Sequence, residues 1–388
     1  MRHVEKACAY GRGAASGIMG DKRRPANGAR ALGRRCSMSH RRPPTRADRL
    51  IASLEDMHPE LARIAPAPCH TFSAEAMGAM HRIQAREHRV TPTDPSEMMR
   101  AILEDPTFVL PEDVALWSQW QVSRQVFRFD AALSAELAAT PCPDDMPLDA
   151  LRKLPYPCLF VEAGIELPLS SGRTGEADGF FCWQDRTMRN GATSIEDTVE
   201  CLTFMLANRD RPRSYVYLEL DAECLGEAIE RVVAQDEAAD LANAGGGTVV
   251  VRSGDQREKA RRQLSLLCSH LLYIASDGSD QEVVYRPAGN APTRRKGRPQ
   301  AASTVHEVGT RVGRSLGQER VRYVGREGQL PPDGTRTVAT HMRAGHWHHY
   351  WRGPKRDPEA RELIVRWVAP ILVNAGSAPG ATVVHDAG

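Results

Sequence analysis

At 388 residues, 41% apolar and 26% charged, the chain is long enough to bury a sizeable core and has the composition of a globular protein. A net charge of +2 excludes a global field that would draw it to nucleic acid. It has no apolar run of 18 residues and no signal-peptide core, which argues against a membrane span or secretion and for a cytoplasmic protein.

Residues 1–45 are rich in Arg, Gly, Ala and Pro without periodicity and are expected to be disordered. Over residues 1–49, thirteen Lys and Arg stand against three acids, Glu5, Asp21 and Asp48. This stretch is either a basic arm for RNA or, since Met38 opens Met-Ser-His-Arg-Arg-Pro43, a leader upstream of the true start. From 46 to 64, Leu50, Ile51, Leu54, Met57 and Leu61 recur at helical spacing. Ser73 opens a second helix running through Met77, Met80 and Ile83 to about His88, and 96–104 is a third. Residues 112–126 read as a helix with Trp117 and Trp120 on one core-facing side. Asp130 is the N-cap of a helix over 131–139.

A short helix over 147–154 precedes strands at 156–162 and 178–185. Residues 194–206 are a strand if Arg189-Asn-Gly191 is a hairpin turn, and a helix if Ser194 is a cap. Residues 214–220 alternate as a strand, and 222–239 form an amphipathic helix with Leu225, Ile229, Val232 and Val233 inward. Gly245-Gly-Gly247 matches neither phosphate-loop pattern and reads as a flexible linker. Residues 255–275 are a long helix with Leu264, Leu267, Cys268, Leu271 and Leu272 as its buried stripe. Residues 290–302 are Pro-, Arg-, Lys- and Gly-rich, the composition of an interdomain linker, and 304–316 read as a short strand followed by a turn. The nine cysteines form no CxxC pair, the usage of reduced thiols packed as small hydrophobes.

The expected fold class is α+β: an N-terminal helical part, a central mixed sheet with flanking helices, and a small β-rich C-terminal part. The expected organisation is a main domain over 46–289, the linker at 290–302, a C-terminal domain over 303–376 and a disordered tail over 377–388.

The densest chemistry lies in His341-Met-Arg-Ala-Gly-His-Trp-His-His-Tyr-Trp-Arg-Gly-Pro354, where four His, two Trp, a Tyr and two Arg occupy fourteen positions. Read as extended, His341, Arg343, Gly345, Trp347 and His349 share one face, and Met342, Ala344, His346, His348 and Tyr350 the other. Arg352-Gly-Pro354 is a turn, and 363–373 return as a strand with Pro370 at an edge or bulge. The candidate binding residues of this hairpin are His341, Arg343, His346, Trp347, His349 and Trp351. His346 and His348 have i, i+2 spacing, but no Cys or carboxylate completes a metal site, so neither metal nor cofactor is expected. Arg343, Trp347 and His349 suit stacking and phosphate contact with single-stranded RNA. The same strand suits capture of an extended peptide by strand addition, and a purely structural hairpin also fits. No GxSxG, HExxH or carboxylate cluster supports an enzyme; a ribonuclease using His341 or His346 as acid and base is the rival class.

Several blocks carry a family resemblance: Val126-Phe-Arg-Phe-Asp130 with Ala139-Thr-Pro141, Leu151-Arg-Lys-Leu-Pro-Tyr-Pro-Cys-Leu-Phe-Val-Glu162, Gly179-Phe-Phe181, Leu264-Ser-Leu-Leu-Cys-Ser-His-Leu-Leu-Tyr273, Val308-Gly-Thr-Arg-Val-Gly313, and the aromatic block 341–354 with 367–374. In this order they resemble the large type V-A anti-CRISPR proteins of phages and plasmids. The resemblance implies a protein of a mobile element that recognises the start of the nascent type V-A effector nuclease, in the cytoplasm of a bacterial host, and lowers its message. The partners so implied are that nascent polypeptide, with the ribosome or mRNA beside it, and no cofactor or membrane.

Overall fold

The computed structural model describes residues 43–64, 69–71, 73–87, 109–168, 174–188, 197–208, 215–243, 254–286, 293–295, 298–300, 302–324, 341–357 and 360–373. The helix expected at 96–104, the Arg189–Gly191 turn, the Gly245–Gly247 linker, residues 377–388 and nearly all of the basic N-terminus lie outside them. The chain divides into Met1–Pro43 and Pro44–Gly388, and every described helix and strand belongs to the second unit.

The unit is built on a mixed sheet. Its strands are β1 (Gln125–Phe129), β2 (Cys158–Glu162), β3 (Ile165–Pro168), β4 (Thr174–Met188), β5 (Thr198–Asn208), β6 (Tyr215–Glu219) and β7 (Gln281–Tyr285). After a small β8–β9 pair (Thr293–Arg295 with Arg298–Gln300) comes β10 (Thr304–Val308). The order across the sheet is β6-β5-β4-β2-β1-β10-β7, with β3 paired to β4. The β1–β2 and β1–β10 pairs are parallel, and the other pairs in the sheet are antiparallel. Parallel neighbours need a crossover. The chain from β1 to β2 supplies it through α4 (Ala131–Ala139) and α5 (Asp149–Arg152).

Alternation sends successive side chains to opposite faces, and both faces are covered. On one face Phe127, Phe129, Leu159, Val161, Phe180 and Cys182 pack with α4, α5, α6 (Leu225–Asn243) and α7 (Gly254–Ala275). On the other, Val126, Phe160, Phe181 and Trp183 pack with α1 (Arg46–Met57), α2 (Ala74–Glu87) and α3 (Pro111–Ser123). Trp117 and Trp120 are core residues as expected, and Trp120 meets Phe181 edge-on at 5.2 Å between centroids. The fold class is the expected α+β: helices on both faces of a central mixed sheet, with small hairpins towards the C-terminus.

Three local readings change and one open reading is settled. The first helix stops at Met57, because Pro59 disfavours helical geometry at His58 (φ −125°, ψ 78°); Leu61–Arg63 is only a 3-10 turn. The third described helix stops at Ser123, where Arg124 is left-handed at φ 50°, and Val126, Phe127 and Phe129 belong to the central strand β1. Of the stretch 194–206, open between strand and helix, residues 198–206 lie in the strand β5, which pairs with β4 and β6, and 194–196 lie outside the described residues. After β10 the chain enters a helix, α8 (Thr310–Val324), rather than a turn. The start of α8 is capped from a distance: Asp280 Oδ2 accepts from Arg311 N at 2.7 Å and Val312 N at 3.1 Å. Gly309, at φ +79°, makes the corner, and a Cβ there would lie 2.1 Å from Leu133 Cδ2. Asp130 caps α4 as expected, accepting from Ala132 N and Leu133 N at 2.9 and 3.2 Å.

Candidate binding surfaces

The C-terminal aromatic block folds as a broken hairpin. Its strands are β11 (His341–Arg343), β12 (His346–Arg352), β13 (Glu362–Val368) and β14 (Ile371–Val373). β11 pairs with β14 and β12 with β13, both antiparallel. The register is continuous, Arg343 opposite Ile371 and His346 opposite Val368, so Ala344-Gly345 faces Ala369-Pro370 across the break. Pro370 has no N–H to give a ladder. Gly345 is closely surrounded. A Cβ on it would stand 3.0 Å from Trp367 Cζ2 and 3.2 Å from both Pro370 Cδ and Thr140 Oγ1.

Cross-strand pairing sets the faces of β12–β13. Trp347, His349, Trp351, Leu363, Val365 and Trp367 share one, and Trp347, Leu363 and Val365 join the core formed with α5 and α7. Trp347 is only 6% exposed, and its indole N–H is buried without an acceptor, as is that of Trp367 opposite. Of the six candidate residues, His341, Arg343 and Trp351 are exposed, His346 and His349 are half-buried, and Trp347 is core. Arg343 and Trp347 therefore stand in different environments. The opposite face carries exposed His348, Tyr350, Arg352, Arg366 and Val368 around a buried Ile364.

The two edges of this small sheet also differ. Asp277 N donates to Val365 O at 3.0 Å, and Lys153 Nζ donates to Leu363 O at 2.9 Å. These bonds occupy two of the outward carbonyls of β13. They also fix the polarity of the ladder. Residues 363 and 365 point away from β12, so their partners Trp351 and His349 point their backbone groups away from β13, and Trp347 does likewise. Among the described residues no other strand pairs with that outer edge of β12.

A second feature escaped sequence reasoning. A cleft of about 870 Å³ opens at the carboxyl ends of the parallel strands β1 and β2, the customary ligand position in open α/β sheets. Phe129, Ala135 and Leu266 line its apolar part. Its rim holds Arg128 paired with Glu162 at 3.1 Å, and Arg46 paired with Asp178 at 3.2 Å. Arg49 donates to Pro44 O at 2.8 Å. In its wall, His270 Nδ1 faces Leu266 O at 2.9 Å, and Nε2 lies 2.7 Å from Ser134 Oγ. Burial pushes the His270 pKa down to about 4, so the ring is neutral: Nδ1–H donates to the carbonyl and Nε2 accepts from the serine hydroxyl. The pair ties α4 to α7. These residues come from separate stretches of the chain, and no local pattern joins them.

Five of the seven cysteines among the described residues fit the expectation of packed hydrophobes, while Cys69 and Cys224 are half-buried. Cys142, Cys158, Cys182, Cys201 and Cys268 are buried and free, and desolvation raises the pKa of each. No group of three or more His, Cys, Asp or Glu converges as metal ligands among the described residues. No helix among them is long and apolar enough to cross a membrane.

Fold and surfaces together define an α+β protein whose mixed sheet carries an aromatic, basic hairpin docked on one of its two cores. The chain belongs to the AcrVA2-like family, the anti-CRISPR type V subtype A2 family, whose profile matches residues 127–375. That span begins within β1 and ends just past the hairpin. Membership marks the protein as anti-CRISPR in kind. The crystal structure of AcrVA2 superposes with a TM-score of 0.51 over 86% of this chain and 100% of that chain, at 16% identity, a likeness of fold. No curated protein matches the sequence.

Proposed function

We propose that this protein binds the nascent polypeptide of the type V-A effector nuclease and lowers its expression, taking the peptide as an added strand along the outer edge of β12. The observation that carries this reading is the edge itself. Trp347, His349 and Trp351 aim their backbone groups away from β13, and among the described residues no strand answers them. Strand addition draws its affinity from such groups and its selectivity from neighbouring side chains. A nascent chain is unfolded, so its backbone is free to pair. His341, Arg343, His346 and Trp351 flank the edge as side-chain contacts, half-buried His349 supplies backbone groups to it, and the core residue Trp347 anchors the strand.

His349→Pro tests this. The His349 N–H lies outside the β12–β13 ladder, so proline there spares the hairpin but removes a donor from the outer edge. Fluorescence anisotropy with a labelled peptide from the effector's N-terminus is the readout, together with effector protein and message levels on co-expression. The variant should keep its melting temperature within a few degrees, weaken peptide binding about tenfold or more, and restore effector levels. Undiminished binding by a folded His349→Pro protein would show the edge is not the site.

A further inference from the structure

We propose that the tip of the C-terminal hairpin is a second binding surface, for single-stranded nucleic acid. Two observations meet there. Tyr350 and Trp351, at 37% and 41% exposure, are the exposed large aromatic side chains among the described residues, and they are adjacent. They project to opposite faces at the far end of β12, next to the connection 353–361. Tyr350 is 5.4 Å from the His348 ring, and the Arg361 guanidinium sits 5.9 Å from the Trp351 ring centre.

The second observation is spare positive charge. Residues 341–373 hold six Lys and Arg against three acids, Asp357, Glu359 and Glu362, in a chain of net charge +2. Elsewhere many surface arginines have acid partners. Arg231 meets Glu219, Asp221 and Glu227, Arg261 meets Asp144 and Glu230, and Arg311 meets Asp280. At the hairpin Arg352 is held by Glu362 at 2.7 Å, but Lys355, Arg356 and Arg366 are exposed and have no acid partner among the described residues.

Exposed rings set among unmatched cations are the arrangement that holds single strands. Bases stack on the rings and phosphates meet the cations, with little dependence on sequence. Duplexes keep their bases stacked inside, beyond the reach of these rings. A protein partner has no comparable use for three unmatched cations beside two aromatic faces unless it is strongly acidic. Trp351 borders both surfaces, but the exposed cations Lys355, Arg356 and Arg366 belong to this one and the outward His349 N–H to the peptide edge, so variants at those positions separate the two.

The test uses the full chain and a labelled single-stranded RNA of mixed sequence, with DNA of the same sequence, the RNA duplex and an acidic peptide as parallel probes. Binding of the single strands should weaken with salt at a slope of log K against log[salt] of about −2, as expected for three phosphate contacts. Lys355→Ala/Arg356→Ala/Arg366→Ala should flatten that slope towards zero. Tyr350→Ala/Trp351→Ala should weaken binding about tenfold or more while melting as wild type, since both rings are exposed. A preference of RNA over DNA shows that the 2′-hydroxyl is read, and equal affinity shows generic single-strand binding; either supports the surface. Four results overturn it: no binding at low salt, equal binding of the duplex, tighter binding of the acidic peptide, or nucleic-acid binding that both hairpin variants leave unchanged, which would place it on the basic residues 1–49 instead. His349→Pro should leave RNA affinity intact, so failure of the peptide reading and failure of this one remain distinguishable.

Discussion

Replacing Trp347 tests how the hairpin is attached to the rest of the protein. Trp347 is 6% exposed and packs in the core with Leu363 and Val365, so Trp347→Ala leaves a large cavity and should cost about 3–5 kcal/mol of stability. The indole N–H complicates this in a useful way. It is buried without an acceptor, and such an orphan donor costs about 1–3 kcal/mol. Trp347→Phe keeps most of the apolar ring and discards the orphan, so the two effects oppose each other and the net change should stay below about 1.5 kcal/mol. Trp351, on the same face but 41% exposed, should lose less than about 1 kcal/mol on Trp351→Ala. Urea denaturation of the three variants, followed by tryptophan fluorescence and far-UV circular dichroism, measures all of this. If Trp347→Phe or Trp351→Ala proves as costly as Trp347→Ala, the burial argument fails and the hairpin is not anchored through Trp347.

His270 makes stability depend on pH. Its ring is neutral when folded, with a pKa of about 4 against an ordinary 6.5, so its contribution is fully present above about pH 6.5 and is lost as pH falls towards 4. The loss should reach about 3 kcal/mol near pH 4, and His270→Leu should flatten that part of the curve in denaturation measured from pH 7.5 to 4.5. Gly179, at φ +150°, should not tolerate a side chain: a Cβ there would lie 2.1 Å from Val161 O, so Gly179→Ala should cost at least about 2 kcal/mol by thermal melting, and a neutral result would contradict the β2–β4 contact. Asp130→Ala removes the cap of α4 and should cost about 1 kcal/mol, readable in the same assay. Thiol titration of the native protein should leave Cys158, Cys182, Cys201 and Cys268 unreacted until denaturant is added, because burial disfavours the thiolate at each.

Much of the architecture was legible from local chemistry. Asp130 announces the α4 cap, the stripe Leu264, Leu267, Cys268, Leu271 and Leu272 announces α7, and alternation in 178–185 announces β4. The return strand opposite the aromatic block was legible as well, because turn residues separate two extended runs. These features depend on neighbours a few residues apart, and period and propensity report them directly. The boundaries that failed depend on distant parts of the chain. Arg124-Gln-Val126 continues the helical pattern by local spacing, yet Gln125 and Val126 open the strand between β2 and β10 only because partners about 35 and 180 residues on lie beside it. The helix after β10 starts on Asp280 of another turn, a cap no local rule finds.

The same division runs through the functional surfaces. Sequence alone determined that 341–352 concentrates aromatic and basic side chains on extended backbone, since composition and alternation are local properties. Tertiary structure decided which of those side chains are spent on the core. α5 and α7 receive Trp347 and leave Tyr350 and Trp351 in solvent, and Lys153 and Asp277 just beyond them bond two outward carbonyls of β13, while no described strand pairs with the outer edge of β12. The cleft at the ends of β1 and β2 lies wholly on that second side. Arg46, Arg128, Ser134, Glu162 and His270 become neighbours only when parallel strands and their crossover helices bring widely separated stretches of chain to one rim, and one-dimensional spacing carries no trace of such proximity.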